Sequence, residues 1–322
     1  MPEHAASSAE LAGVCQRLAA HYTALAEKES ARGAAGYARL DKERVQCLRV
    51  MKSCSNSQLW QEIKVLVRAI STYLDRQGYW TEDIAAITMR LNAARQAGDR
   101  KDEGWCLNSL GYTCRKRGEL AKALACYEQS LSIRRELSDR QGEAWTLNNI
   151  AEIYHVQNRH EQVLQYLEQS LTIMREIGDR EGEGMTLNNI SQVYDAQGDY
   201  ETSLTYLKQS LSVNIEVSNK IVEGANLNNI ARIYDKQGNT TKAIEYWEQA
   251  LVIAREVGDK SHEAFTCWNI GLTCQNQGDL AKAEEYISRA VQIEEDIGHP
   301  DLEKDREELE QVRAARQCSI PN

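Results

Sequence analysis

The sequence predicts an all-α chain, an α-solenoid of stacked helix–turn–helix hairpins, on three observations. The three prolines are Pro2, Pro300 and Pro321, so nothing between the first two forces a helix to break. Aliphatic residues, Ala, Glu and Gln are plentiful, while Phe265 is the one phenylalanine. Most tellingly, the chain aligns with itself at one dominant period.

The period is 40 residues: NSLGYTCRKRG, NNIAEIYHVQN, NNISQVYDAQG, NNIARIYDKQG and WNIGLTCQNQG begin at 108, 148, 188, 228 and 268. A second set stays in step, with ACYEQSLSIRREL, QYLEQSLTIMREI, TYLKQSLSVNIEV, EYWEQALVIAREV and EYISRAVQIEEDI at 125, 165, 205, 245 and 285. Each repeat carries its own punctuation. Gly178-Asp179 and Gly258-Asp259 set a helix-ending Gly beside an Asp able to cap the next helix, and Gly198-Asp199 and Gly278-Asp279 do so inside a repeat. One repeat therefore reads as helix, tight turn, helix, tight turn.

Within the first helix, Leu187, Ile190, Ser191 and Tyr194 make an apolar stripe, matched in the second by Leu204, Leu207, Leu211 and Val213. The site of Ser191 holds Gly111, Ala151, Ala231 and Gly271 elsewhere, small residues that let the paired helices approach closely. One hairpin cannot bury both of its faces, so stability has to come from stacking neighbours.

A small residue after an aliphatic one, Tyr three positions on, then Ala243, Trp247 and Ala250, resembles the tetratricopeptide repeat (TPR). The resemblance implies a right-handed α-solenoid. The proline that usually closes the second helix is replaced by Arg135, Arg175, Ile215, Arg255 and Glu295, and six residues are added per repeat. This is similar to the 40-residue variety found in kinesin light chains and in spindle-orientation adaptors that bind G-protein regulators. The match is strong over 104–303 and weaker over 64–103, where Gly78 and Asp99 keep register but Asp83 and Arg90 stand where small residues are expected.

The expected organisation is an N-terminal helical cap over 1–63, then six repeats over 64–303: a degenerate one at 64–103, then 104–143, 144–183, 184–223, 224–263 and 264–303. A capping helix and tail follow over 304–322. The cap is helical by pattern over 8–56, with breaks at Arg32–Gly36 and Ser53–Ser57. At the other end Leu302, Leu309, Val312 and Ala315 make an amphipathic helix, with a frayed tail expected from Cys318. HYTALAEKE and AISTYLDRQGYW also resemble the start of the sensor arm in NB-ARC-type signalling ATPases.

A net charge of −10, with a pI near 5.3, argues against nucleic acid, because phosphate neutralisation needs a clustered Lys/Arg surface. No apolar run of membrane-spanning length and no secretory signal occurs, so the chain is expected in the cytoplasm and off membranes. Nine cysteines without a C-x-x-C pair fit reduced thiols, neither disulfides nor a metal site. No phosphate-binding loop, dinucleotide fingerprint or nucleophile elbow is present. The pairs His160-Glu161 and His262-Glu263 lack a second His four residues on, where Leu164 and Thr266 stand. Neither catalysis nor a cofactor is expected.

In the resembling family, stacked first helices line a concave groove, and fixed positions on them face the ligand. Transferred residue by residue, those positions give two columns. Asn149, Asn189, Asn229 and Asn269, continued by Ser109, would offer carboxamides to the N–H and C=O groups of an extended peptide. The other reading of this column is hydrogen bonding within or between helices. One turn earlier stand Trp105, Trp145, Met185, Ala225 and Phe265, either anchors for apolar side chains of a ligand or core between hairpins. Tyr112, Arg115 and Arg232 complete the peptide-binding set. Arg115, Lys116, Arg232 and Lys236 against Glu152, Asp195 and Asp235 leave the groove nearly neutral.

The two-carboxylate clamp of chaperone-binding relatives is excluded, since its positions read Arg68 and Thr72, Ser109, then Trp145 and Asn149. The expectation is a non-catalytic adaptor or scaffold that binds a protein or peptide partner, an extended segment or a helix, in the groove. The alternative is a regulatory sensor, related to the arm of signalling ATPases, in which ligand binding changes superhelix shape or self-association.

Overall fold

The computed structural model describes residues 8–297 and 302–319. Pro2, Pro300, Pro321, residues 298–301 of the 264–303 repeat and the last three residues lie outside them. The described residues form fifteen α-helices and no strand. They are α1 (Ser8–Ser30), α2 (Ala34–Asn56), α3 (Trp60–Arg76), α4 (Trp80–Ala97), α5 (Arg100–Lys116), α6 (Leu120–Glu136), α7 (Arg140–Val156) and α8 (His160–Ile177). There follow α9 (Arg180–Gln197), α10 (Tyr200–Glu216), α11 (Lys220–Lys236), α12 (Thr240–Val257), α13 (Lys260–Asn276), α14 (Leu280–Ile297) and α15 (Leu302–Ser319). From α3 onward a helix starts at 60, 80, 100 and so on to 280, so the hairpins recur every 40 residues, each opening four residues before the expected repeat border. The last helix includes Cys318 and Ser319, and the rest of the tail expected to fray lies outside the described residues.

The chain divides into two compact units, residues 1–166 and 167–322. In the first, α1 and α2 pair and pack on α3, α3 pairs with α4, and α5 with α6; α5 also touches α7, the first helix of the following hairpin. In the second, α9 pairs with α10, α11 with α12 and α13 with α14; α9 touches α11, and α15 packs on α14. First helices thus stand beside first helices within each unit.

The turns explain the regular spacing. Asp139 and Asp179 accept hydrogen bonds from the N–H groups of Gly142 and Gly182 at 3.1 and 2.8 Å, and Asp99, Asp199, Asn219, Asn239 and Asp259 cap their helices in the same way. The residue before most caps is a left-handed glycine, such as Gly198 at φ 79°. Ser138, Asn158 and Ser218 take that conformation without being glycine, at φ 53°, 56° and 57°.

Small residues let the helices of a hairpin touch. A Cβ on Gly111 would lie 2.6 Å from the Tyr127 ring, and one on Gly271 would lie 2.5 Å from Ile287. Ile150, Ile190, Ile230 and Ile270, one residue before the small position, are each fully buried, a burial worth roughly 2–3 kcal/mol apiece. Three residues beyond the small position, Tyr154, Tyr194 and Tyr234 stack on Tyr166, Tyr206 and Tyr246 with centroids 5.4 to 5.6 Å apart.

Where arginine replaces the expected proline, it ties one hairpin to the next. Arg135 donates through Nε to Glu143 at 2.8 Å, Arg175 to Glu183 at 2.8 Å and Arg255 to Glu263 at 2.9 Å, and Arg95 meets Glu103 likewise. Glu143, Glu183 and Glu263 are buried, and Arg140, Arg180 and Lys260 supply each a second cation. A proline could not make this bond.

Candidate functional site

The first unit sets its candidate residues on α5 and α7. Trp105 of α5 and Trp145 of α7 are partly exposed on neighbouring first helices, and Ser109, Tyr112 and Asn149 are half-buried one turn or more along. Trp105 is held from behind: the Arg90 guanidinium lies 3.8 Å from its ring centroid. Arg90 is itself buried and donates through Nε and Nη2 to the buried carboxylate of Asp102. Arg115 pairs with Glu152 at 2.8 Å, so it is a neutralised part of the surface.

The second unit repeats the arrangement on α9, α11 and α13. Met185 and Phe265 are 38% and 51% exposed, unusual for residues so apolar on helices whose other large aliphatic side chains are mostly buried. Ala225 sits between them in sequence register. Asn189, Asn229 and Asn269 are half-buried one turn on. Arg232 and Lys236 both reach Asp195, at 3.0 and 2.8 Å, and Asp195 is almost fully buried.

The amides of the Asn column are engaged from one side. Asn149 donates through Nδ2 to Oδ1 of Asn108 at 3.0 Å, and Asn229 donates to Oδ1 of Asn188 at 3.1 Å. Thr266 donates to Oδ1 of Asn228 at 3.1 Å. Asn148 and Asn228 are buried and donate to carbonyls of their own helices, Ala144 and Gly224. The intramolecular reading of asparagine describes these bonds: Asn148 and Asn228 bond within their own helices, and Asn149 and Asn229 bridge neighbouring hairpins through their N–H groups.

A pocket of about 250 Å³ opens on the same face of the first unit. Asp75 of α3, Asp83 of α4, Trp105 and Tyr112 of α5, and Asn149 of α7 line it. Asp83 is 3% exposed; its Oδ2 accepts from Thr113 Oγ1 at 2.8 Å, while its Oδ1 is buried without a hydrogen-bond partner. Burial pushes the Asp83 carboxyl up to about 6, against the Thr113 and Ser71 hydroxyls, which hold it back, and the like charge of Asp75 adds a smaller upward push.

Repeat comparison alone singles out Asp83 and Arg90 as departures, but it could not pair Arg90 with Trp105 and Asp102. It also missed the buried acidic column, although Glu103, Glu143, Glu183, Glu223 and Glu263 recur every 40 residues in plain sight. Among the described residues no cluster of His, Cys, Asp and Glu could hold a metal ion, and no helix is long and apolar enough to cross a membrane. Burial pushes the thiols of Cys106 and Cys47 up to about 12, and that of Cys267 up to about 11.

Models of the tetratricopeptide repeat match residues 104–140, 142–216 and 223–296, together more than half of the chain. No curated protein sequence matches significantly. Several solved structures share the fold. BtubC (BKLC) of P. vanneervenii is 21% identical, with a TM-score of 0.60, covering 76% of this chain and 94% of its own. A signal-transduction ATPase with numerous domains from Pyrococcus horikoshii, which carries a tetratricopeptide repeat sensor, is 18% identical with a TM-score of 0.68. It covers 84% of this chain, which spans only 41% of that protein. A Rap protein complexed with competence and sporulation factor is 12% identical, with a TM-score of 0.58, over 94% of this chain and 98% of its own.

Proposed function

Because the chain belongs to the tetratricopeptide repeat superfamily, we propose that it is a non-catalytic adaptor or scaffold whose first-helix face holds an extended peptide or a partner's helix. The observation that carries this reading is the exposed apolar column. Trp105, Met185 and Phe265 occupy one repeat position, and each is at least about a third exposed, whereas Leu107, Leu187 and Cys267, two positions later, are buried. Apolar area left in water at a fixed repeat position gains roughly 25 cal/mol per Å² when a partner covers it.

The asparagines one turn on supply what an apolar column lacks. A side-chain carbonyl oxygen accepts from a peptide N–H without regard to the peptide's side chains. A Rap protein of the same fold is solved in complex with competence and sporulation factor.

The test is selection from a randomised display library of ten-residue peptides on the immobilised full chain. Enrichment is expected for the wild type and is expected to collapse in Met185→Ala/Phe265→Ala, with the melting temperature nearly unchanged because both side chains are exposed. Equal enrichment by the double variant, or none by the wild type, overturns the reading.

A further inference from the structure

Asp83 has no counterpart in the other hairpins. Its position holds Ala123, Val163, Ser203, Ala243 and Ala283, all buried, so the stacking of the array does not call for a carboxylate. Arg90, where the others carry Ser130, Ser170, Ser210, Ala250 and Ala290, departs in the same way. The two departures converge on one pocket, since Asp83 lines it and Arg90 braces Trp105, which forms its wall.

The charged groups around Asp83 give it no partner. On α3 stands Asp75, of like charge, bonded to the Tyr112 phenol at 3.5 Å. On α4 itself, Arg90 is committed to Asp102. On α5, Arg115 is committed to Glu152 of α7, and α7 lines the pocket with the neutral Asn149 alone. A buried carboxylate with a bare oxygen, a second carboxylate nearby and two aromatic walls repels anions and leaves neutral donors uncompensated. It favours a cation, through charge pairing and the aromatic faces together.

We propose that this pocket binds a protonated amine or guanidinium, presented as a lysine or arginine side chain of the segment held on the first-helix face. The proposal rests on the interaction reading above, and it adds a sequence requirement: one basic residue of the partner, placed against the first unit.

Two measurements test it. In the peptide selection, sequences enriched by the wild type carry Lys or Arg at one fixed position. In Asp83→Asn, which keeps an acceptor for Thr113 and removes the charge, peptides are still captured but that preference falls about 30-fold or more. Capture without a basic preference, or with a preference unchanged in Asp83→Asn, overturns the pocket assignment and leaves the adaptor reading standing. In the second arm, n-butylammonium chloride, compared with sodium chloride at equal ionic strength, raises the melting temperature of the wild type at pH 7.5 and not that of Asp83→Asn; at pH 5, where Asp83 is protonated, the rise disappears. No difference between the two salts overturns the proposal even if no peptide is captured. A rise with butylammonium and no captured peptide overturns the side-chain source and points to a free amine.

Discussion

The Nδ2 of Asn229 donates to the Oδ1 of Asn188 at 3.1 Å, joining α11 to α9 across the face on which a partner would lie. The bond gives the asparagine a double task, because the same amide cannot serve only a ligand. Asn229→Ala removes the donor and leaves the Asn188 carbonyl to water, so a loss of about 1 kcal/mol is expected in denaturant unfolding. A variant as stable as wild type, or one destabilised several-fold more, would show that the bond contributes otherwise in solution.

Glu263 predicts a specific acid response. Burial alone would raise its carboxyl, but hydrogen bonds from Lys260, Arg255 and Arg289 outweigh it and hold the group at about 2. A depressed carboxyl contributes stability above its unfolded value near 4.5, and loses it as pH falls toward 2. The three cations are 39% to 57% exposed, so solvent screens them, and the contribution is about 2 kcal/mol after that discount. Glu263→Gln should be less stable than wild type by about that amount at pH 7, with the difference closing as melts are repeated from pH 4.5 downward.

How much of this is legible in the sequence depends on the range of the interaction. The hairpins follow from local signals repeated every 40 residues, so Asp179 as a cap and Gly198 as a left-handed turn can be read without a structure. The exposed state of Phe265 cannot. A large apolar residue at helical spacing reads as core, and only the placement of the neighbouring hairpin decides that it stays in water. The Asn229 bond spans 41 residues, one more than the repeat, an offset that a column-by-column comparison hides. Arg255 is conspicuous as a missing proline, yet its partner Glu263 lies in the next hairpin and emerges only when the helices are set side by side.

Ser218 marks a place where the repeat departs from its best residue. Its φ of 57° is the left-handed conformation that Gly198 takes at φ 79° one turn of the chain earlier. A Cβ there crowds the backbone, at a cost of about 1–2 kcal/mol, partly offset by the freedom glycine has in the unfolded chain. Ser218→Gly is therefore expected to raise stability by about 0.5–1 kcal/mol, and Gly198→Ala to lower it by a comparable amount. Paired urea titrations decide the point; a destabilised Ser218→Gly would mean that the serine side chain contributes something the turn geometry does not reveal.

Asp83 should reveal itself as a residue kept at the expense of stability. Burial raises its carboxyl to about 6 from an unfolded value of 3.8, so between those pH values the folded chain binds more protons than the unfolded one. Stability contributed by this group is then lost as pH rises through that window, the opposite sense to Glu263. Above pH 6 the penalty is nearly complete, and for a side chain 3% exposed it amounts to about 3 kcal/mol. Asp83→Asn removes it while still accepting from Thr113, so the variant should be more stable than wild type at pH 7.5 and no more stable near pH 3.5. Denaturant melts at those two pH values measure the difference. A variant less stable than wild type at pH 7.5 would place Asp83 among the groups that hold the array together, and its bare oxygen would then need a structural partner rather than a cation.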